Sequence, residues 1–141
     1  MERKKEFGMC KFCGTAIPVP LDLQDDPKED KDEYATMNCS CMNAENYQMK
    51  IRAEQRRKET LERASNQIEQ LFGEGAREFG FEPVSSKIGG ALRELSALAY
   101  DGEIEGATVN MPGNTKAAVK ITSKGVITVL RQMTTAFKRE V

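Results

Sequence analysis

The chain has no histidine and no tryptophan, and Phe and Tyr make up 6% of its 141 residues. Without histidine, the side chain best suited to proton transfer near neutral pH is missing, and metal ligation falls to thiolates and carboxylates. Few aromatics mean a modest core: one ordinary domain or two small ones, and a small unit must be stapled or lean on a neighbour. No apolar stretch reaches the length of a membrane span, and Met1-Glu2-Arg3-Lys4-Lys5-Glu6 is not followed by the apolar run of a secretory leader. A cytoplasmic protein with reduced thiols is expected. Neither GxxxxGK[ST] nor GxGxxG occurs, and Gly89-Gly90, at the start of an expected helix, reads as a close-packing site. These absences weigh against an enzyme, and no catalytic residue is assigned.

What is present is a set of four cysteines, Cys10-Lys11-Phe12-Cys13 and Cys39-Ser40-Cys41. Two short-spaced pairs brought together supply the tetrahedral all-sulfur shell of a structural zinc site. All four coordination positions are then filled, which leaves none for a water or substrate. The first pair runs straight into Gly14, as a tight knuckle requires. The second has one intervening residue where two are commoner. Two disulfides, a redox CxxC or unrelated thiols are the alternatives, and a redox motif would need a strand-to-helix context that nothing here supplies. Zn²⁺ held by Cys10, Cys13, Cys39 and Cys41 is the expected cofactor, structural in role.

Charge is unevenly spread. Residues 1–42 carry six basic and nine acidic side chains, residues 43–72 six and five, and residues 73–141 nine and eight. The cysteine-bearing end is therefore acidic, and four thiolates around a zinc add to that, so it is a poor phosphate binder. Between the cysteine pairs, Asp26 can cap a short helix from Pro27 to about Ala35, with Glu29 and Asp30 at its positive end. A solvated acidic loop fits as well, and neither version carries chemistry.

A long helix is expected from about Asn43 to Phe72, ended by Gly73 and Gly75. Its second half places Leu61, Ala64, Ile68 and Leu71 at the 3-4-3 spacing of a heptad seam, which pairs with another helix of this chain or of a second copy; a homodimer is one expectation. Its first half would put Tyr47, Lys50, Glu54 and Arg57 on that seam, so it reads as a charged spacer. Lys50, Arg52, Arg56, Arg57, Lys58 and Arg63 invite a nucleic-acid reading, but the interleaved Glu54, Glu59 and Glu62 make helical ion pairs with several of them.

From Phe79 the pattern is that of a compact α+β unit. Ser85 or Ser86 caps a helix in which Ile88, Ala91, Leu92, Leu95, Leu98 and Ala99 form the apolar stripe, stopped at Asp101-Gly102. Three strands follow, Glu103–Met111, Thr115–Ser123 and Val126–Phe137, joined by a type II turn centred on Pro112-Gly113 and a two-residue turn at Lys124-Gly125. The expected fold class is α+β: a zinc-knuckle module (1–42), a helical arm (43–75) and a terminal helix with a three-stranded antiparallel meander (79–141).

Alternation on the second strand turns Ala117, Val119 and Ile121 toward the helix and leaves Lys116, Lys120 and Lys124 outside. With a two-residue turn, Lys120 faces Val129, Thr122 faces Ile127 and Lys116 faces Met133, so the outer face would mix lysines with Ile127, Val129, Arg131 and Met133. Residues 115–141 hold six basic side chains against Glu140 alone, a local charge of six minus one. Such a face suits an acidic protein partner, or nucleic acid. Lysines that merely blunt an exposed sheet are the plainer reading. Phe137 is the one aromatic available there for stacking on a base, so single-strand recognition is the weaker version.

The succession of Cys10-Lys11-Phe12-Cys13-Gly14, an acidic insert, Cys39-Ser40-Cys41, a charged helix and a meander containing Ile121-Thr122-Ser123-Lys124-Gly125-Val126-Ile127-Thr128-Val129 resembles small four-cysteine zinc-binding accessory proteins of phages and prophages of low-GC bacteria. The resemblance implies an intracellular accessory protein acting on phage or host nucleic-acid machinery, with no catalytic residues to carry over. The preferred function is a non-enzymatic binding protein, with inhibition of a host nuclease as its sharper form. A nucleic-acid-binding accessory or regulatory factor comes second, and a purely structural dimer third.

Overall fold

In the computed structural model, which describes residues 6–133, the first third of the chain is built around a glycine. Strands β1 (Phe7–Met9) and β2 (Ala16–Pro18) form an antiparallel hairpin in which Gly8 pairs with Ile17. Helix α1 (Lys28–Met37) presses its backbone onto β1: a Cβ on Gly8 would lie 1.9 Å from the carbonyl oxygen of Lys31. Only a residue without a side chain allows that approach. The insert between the cysteine pairs is thus helical and packed, burying Ala35 and Thr36. Its cap falls one residue later than expected, at Pro27, whose carbonyl accepts from the Asp30 and Lys31 amides at 3.0 and 3.2 Å. No side chain caps it, because Asp26 lies one position too early.

Helix α2 (Met42–Phe72) matches the expected long helix. The chain nonetheless divides within it, into compact units Met1–Gln55 and Arg56–Val141, rather than into three parts with a separate arm. The reason lies in what each half buries. Ala44 and Gln48 pack into the cysteine-bearing unit, whereas Ala64, Ile68 and Phe72 enter the core of the second unit.

That second core joins the end of α2 to Leu92 and Ala99 of α3 (Ser86–Tyr100) and to Ala117, Val119, Ile127 and Val129 of the sheet. Three of the four seam positions are therefore packed within the chain. Ala64 and Ile68 are buried, Ile68 to 1% exposure, and Leu71 packs against the same cluster. Ala64, Ile68 and Leu71 thus meet the chain's own α3 and sheet, while Leu61 is half-buried and outside that cluster. In α3 the Ser85 side chain accepts from the Ile88 amide as the cap, and Asp101 with Gly102 (φ 79°) ends the helix as expected. The buried stripe is Gly89, Leu92, Ser96 and Ala99, while Ala91 and Leu98 are exposed. Ser96 tolerates burial because its hydroxyl donates to the Leu92 carbonyl at 2.9 Å.

Strands β3 (Gly106–Met111), β4 (Thr115–Ile121) and β5 (Ile127–Met133) form an antiparallel sheet in that order. The first turn has Gly113 at φ 81°, as expected, but Asn114 also turns left-handed at φ 58° and Met111 pairs with Thr115, so the loop holds three residues. The second is longer than expected: Val126 and Thr122 are bonded across it, and Ile121 pairs with Ile127. The expected extension of the last strand to Phe137, together with Lys138 and Arg139, lies outside the described residues.

Candidate metal centre

The four thiols converge. Sγ of Cys10 lies 3.8 Å from that of Cys41, Sγ of Cys13 lies 3.5 Å from that of Cys39, and all four sulfurs fall within 4.8 Å of one another. A zinc ion with bonds of about 2.3 Å to four tetrahedrally placed sulfurs would set them about 3.8 Å apart. The cluster is close to that spacing. None of the four is in a disulfide. A four-cysteine group at these distances fits a structural metal.

Each pair reaches the centre by a different local device. Cys10 and Cys13 sit in a knuckle after β1, where the Gly14 amide donates to the Cys10 carbonyl at 2.9 Å and the Cys10 amide to the Thr15 carbonyl at 3.0 Å. The closing residue adopts φ 74°, which is why it is glycine. Cys39 and Cys41 lie in the short junction between α1 and α2. The Cys41 carbonyl accepts from the Glu45 amide at 2.9 Å and its sulfur from the Ala44 amide at 3.4 Å, so Cys41 caps α2. The helix terminus supplies the amide and positive dipole that a second knuckle would otherwise provide, and one spacer residue is then enough.

Electrostatics point to a cation. The Thr15 side chain and backbone stabilise the Cys13 thiolate and hold its pKa at about 6. The backbone amide of Cys13 lowers Cys10. The Cys41 amide favours the Cys39 thiolate, yet crowding by Cys13, burial and the other sulfurs push that thiol up to about 12. Cys41 is likewise raised by burial and by Cys13 and Cys10 despite the Ala44 amide. Four like charges this close ionise together only around a positive ion.

The supporting groups come from residues that sequence reasoning left without a role. Asp32 of α1 accepts from the Met9 amide at 2.9 Å, and Thr36 accepts from the Lys11 amide at 3.1 Å while donating to the Asp32 carbonyl at 2.7 Å. Gln48 of α2, which is buried, donates to the carbonyls of Thr36 and Cys39, each at 2.8 Å. Glu33 accepts from the Tyr47 hydroxyl at 2.8 Å and pairs with Lys11, which holds its carboxyl below the usual range. The acidic insert therefore carries the frame of the knuckle. Thr36 and Gln48 had a faint signal, as polar residues on otherwise unexplained helix faces; Asp32 had none that set it apart from its acidic neighbours.

The sheet face differs from the expected one. Lys120 pairs with Thr128, Lys116 with Gln132 and Val119 with Val129, one residue out of the expected register. A one-residue change exchanges the faces of a strand. Ile127 and Val129 accordingly belong to the core, at 4% and 8% exposure, and are not on the outer surface. Arg131 also leaves the outer face: it donates to the Leu71 and Glu82 carbonyls at 2.7 and 3.0 Å. Met133, opposite Thr115, is exposed but lies on the core side of the alternation. The outer face instead shows Lys116, Lys120, Thr128, Gln132 and the half-exposed Leu130, with Lys124 exposed in the turn. No acidic residue occurs anywhere in 106–133.

Among the helix cations, Arg57 is paired with Asp101, and Arg93 of α3 donates to Ser65 of α2 at 2.8 Å. No helix among the described residues is long and apolar enough to cross a membrane. Comparison with protein-family models, with curated proteins and with solved structures finds no match to this chain.

Proposed function

We propose that the chain is a non-enzymatic binding protein, stabilised by one zinc ion, that docks an acidic partner on the outer face of its three-stranded sheet. The observation that carries this reading is the charge of that face: Lys116 and Lys120 project from one side of β4, Lys124 extends the row, and no carboxylate lies anywhere in 106–133. Leu130, exposed at 51%, supplies an apolar contact beside them. Complementary charge gives such a surface steering and specificity, and a desolvated apolar centre gives it residence time. A shell of four sulfurs keeps no position for substrate, which supports a structural role for the metal.

The resemblance seen in the sequence supports a sharper form, a phage accessory protein that acts on host or phage nucleic-acid machinery, and inhibition of a host nuclease is the narrowest version of that reading. The second reading is direct binding to nucleic acid through the same lysines. It is favoured by their spacing along one strand, four residues or about 13 Å apart, but not by the helix, where Arg57 is already paired with a carboxylate.

The test is partner capture by the unmodified chain and by the triple variant Lys116→Glu, Lys120→Glu, Lys124→Glu, with and without nuclease and over a salt series. Loss of capture with unchanged folding supports the face. Capture that is abolished by nuclease and falls steeply with salt assigns it to nucleic acid. A control variant, Asp25→Lys with Asp30→Lys, leaves Asp32 and its bond to Met9 intact. If that variant alone loses the partner, the acidic end is the recognition surface.

A further inference from the structure

Arg131 is a partly buried cation held by aromatic faces and carbonyls, and no carboxylate among the described residues pairs with it. Its guanidinium sits 4.6 Å from the ring centre of Phe81 and 5.3 Å from that of Phe72, and it spends two of its N–H groups on the carbonyls of Leu71 and Glu82. A guanidinium has five such donors. Nε is buried and has no hydrogen-bond partner. Among the described residues no carboxylate forms an ion pair with Arg131; Glu82 gives it a backbone oxygen, and its own exposed side chain is not in ion-pair contact. Removal from water disfavours the charged form, in keeping with a cation that has aromatic faces and carbonyls around it but no counter-ion.

This side chain borders a groove of about 420 Å³ between the 80–85 connection, the start of α3 and the β3–β4 turn. Val84, Ile88, Met111 and Met133 give it apolar walls. Its volume falls near the lower end of the usual range for small-molecule sites, about 300–1,000 Å³. The groove is bordered by two charges, the Arg131 guanidinium and the exposed carboxylate of Glu82, unpaired among the described residues, and the guanidinium against the apolar walls is matched by a ligand with an apolar body and a single anionic head. Nε is shut off from solvent, but each Nη group keeps a second N–H beyond its carbonyl bond, and a carboxylate, which accepts two N–H bonds, suits such a pair better than a point anion does.

We propose that this groove is a binding site for a small apolar carboxylate, with Arg131 as the anchor for its anionic head and Val84, Ile88, Met111 and Met133 around its body. The site is separate from the outer sheet face and from the cysteine cluster, and it does not depend on the reading given above for either.

The probe is 4-phenylbutyrate, titrated into the full-length protein and followed by backbone and arginine side-chain NMR, with the uncharged 4-phenylbutyramide alongside. Saturable shifts in residues 81–88, 111–115 and the Arg131 Nε–H, with the amide weaker by about tenfold or more, are expected. Equal affinity for acid and amide would show an apolar cleft without an anion anchor. Shifts confined to Lys116 and Lys120 would show a surface ion effect, and no saturable shift at millimolar concentration would show no site; each of these overturns the proposal. Arg131→Met should abolish the preference for the acid. Arg131 also ties β5 to α2; should the variant unfold, the acid–amide comparison in the unmodified protein decides the matter alone.

Discussion

Arg57 meets Asp101 fork to fork, with Nε 2.9 Å from Oδ1 and the second guanidinium nitrogen 3.0 Å from Oδ2. The pair joins α2 to the residue that ends α3, and it removes Arg57 from the set of cations open to a phosphate. Both groups are solvent-exposed, so the contribution to stability is small and screened by salt.

The pair gives a pH prediction. Arg57 holds the Asp101 carboxyl below its ordinary value, so its stabilisation is present above the unfolded value, near pH 4, and is lost as pH falls through the lower folded value. Asp101→Asn should therefore melt slightly lower than the unmodified chain at pH 7, with the gap closing in strong acid and shrinking in high salt. Thermal melts across a pH series check this. A gap that widens toward acid would mean that Asp101 acts some other way.

The metal centre predicts one zinc per chain in freshly purified, reduced protein, measured by elemental analysis. Cobalt substitution should give the intense visible bands of a tetrahedral four-thiolate site. Cys39→Ser or a strong chelator should collapse the NMR dispersion of residues 6–55 while residues 56–133 keep theirs, since metal binding supplies folding free energy to a unit with so little apolar core. Stoichiometric iron in place of zinc would keep the four ligands and correct the ion.

The bonds from Asp32 to the Met9 amide and from Thr36 to the Lys11 amide predict that the insert tunes the metal site without touching the metal. Asp32→Ala or Thr36→Val should weaken zinc by about 10- to 100-fold, the usual effect of removing groups that orient ligands. Asp25→Ala, in the same acidic stretch but without such a bond, should leave affinity unchanged. Competition with a chromophoric chelator measures all three.

Local signals in the chain were readable where one residue type decides the outcome. The knuckle glycine, the Ser85 cap, the positive φ of Gly113 and the four sulfurs all behave as their chemistry dictates. What was not readable depended on pairing across distance. Lys124-Gly125 suggested a two-residue turn, but the Val126 amide donates to Thr122 Oγ1 and its carbonyl accepts from the Thr122 amide, which lengthens the loop and moves β5 by one residue. That single step exchanged Ile127 and Val129 for Thr128 and Leu130 on the outer face. The heptad spacing in α2 was real, but spacing alone does not say whether the partner is a second copy or the chain's own sheet.

The last prediction follows from that ambiguity. Ile68 is almost completely buried among residues of α3 and the sheet, whereas Leu61, about two turns earlier on the same stripe, is only half-buried. Ile68→Ala should destabilise the second unit by about 2–4 kcal/mol, the range for a large aliphatic side chain removed from a packed core. Leu61→Ala should cost less, about 1 kcal/mol, in proportion to the apolar area it covers. If the stripe is satisfied within one chain, neither the unmodified melting temperature nor these losses depend on protein concentration, because no association is linked to folding. Melts over a hundredfold range of concentration, with sedimentation equilibrium in parallel, separate the two cases. A melting temperature that rises with concentration, together with a Leu61→Ala loss as large as that of Ile68→Ala, would return the stripe to an interface between two copies.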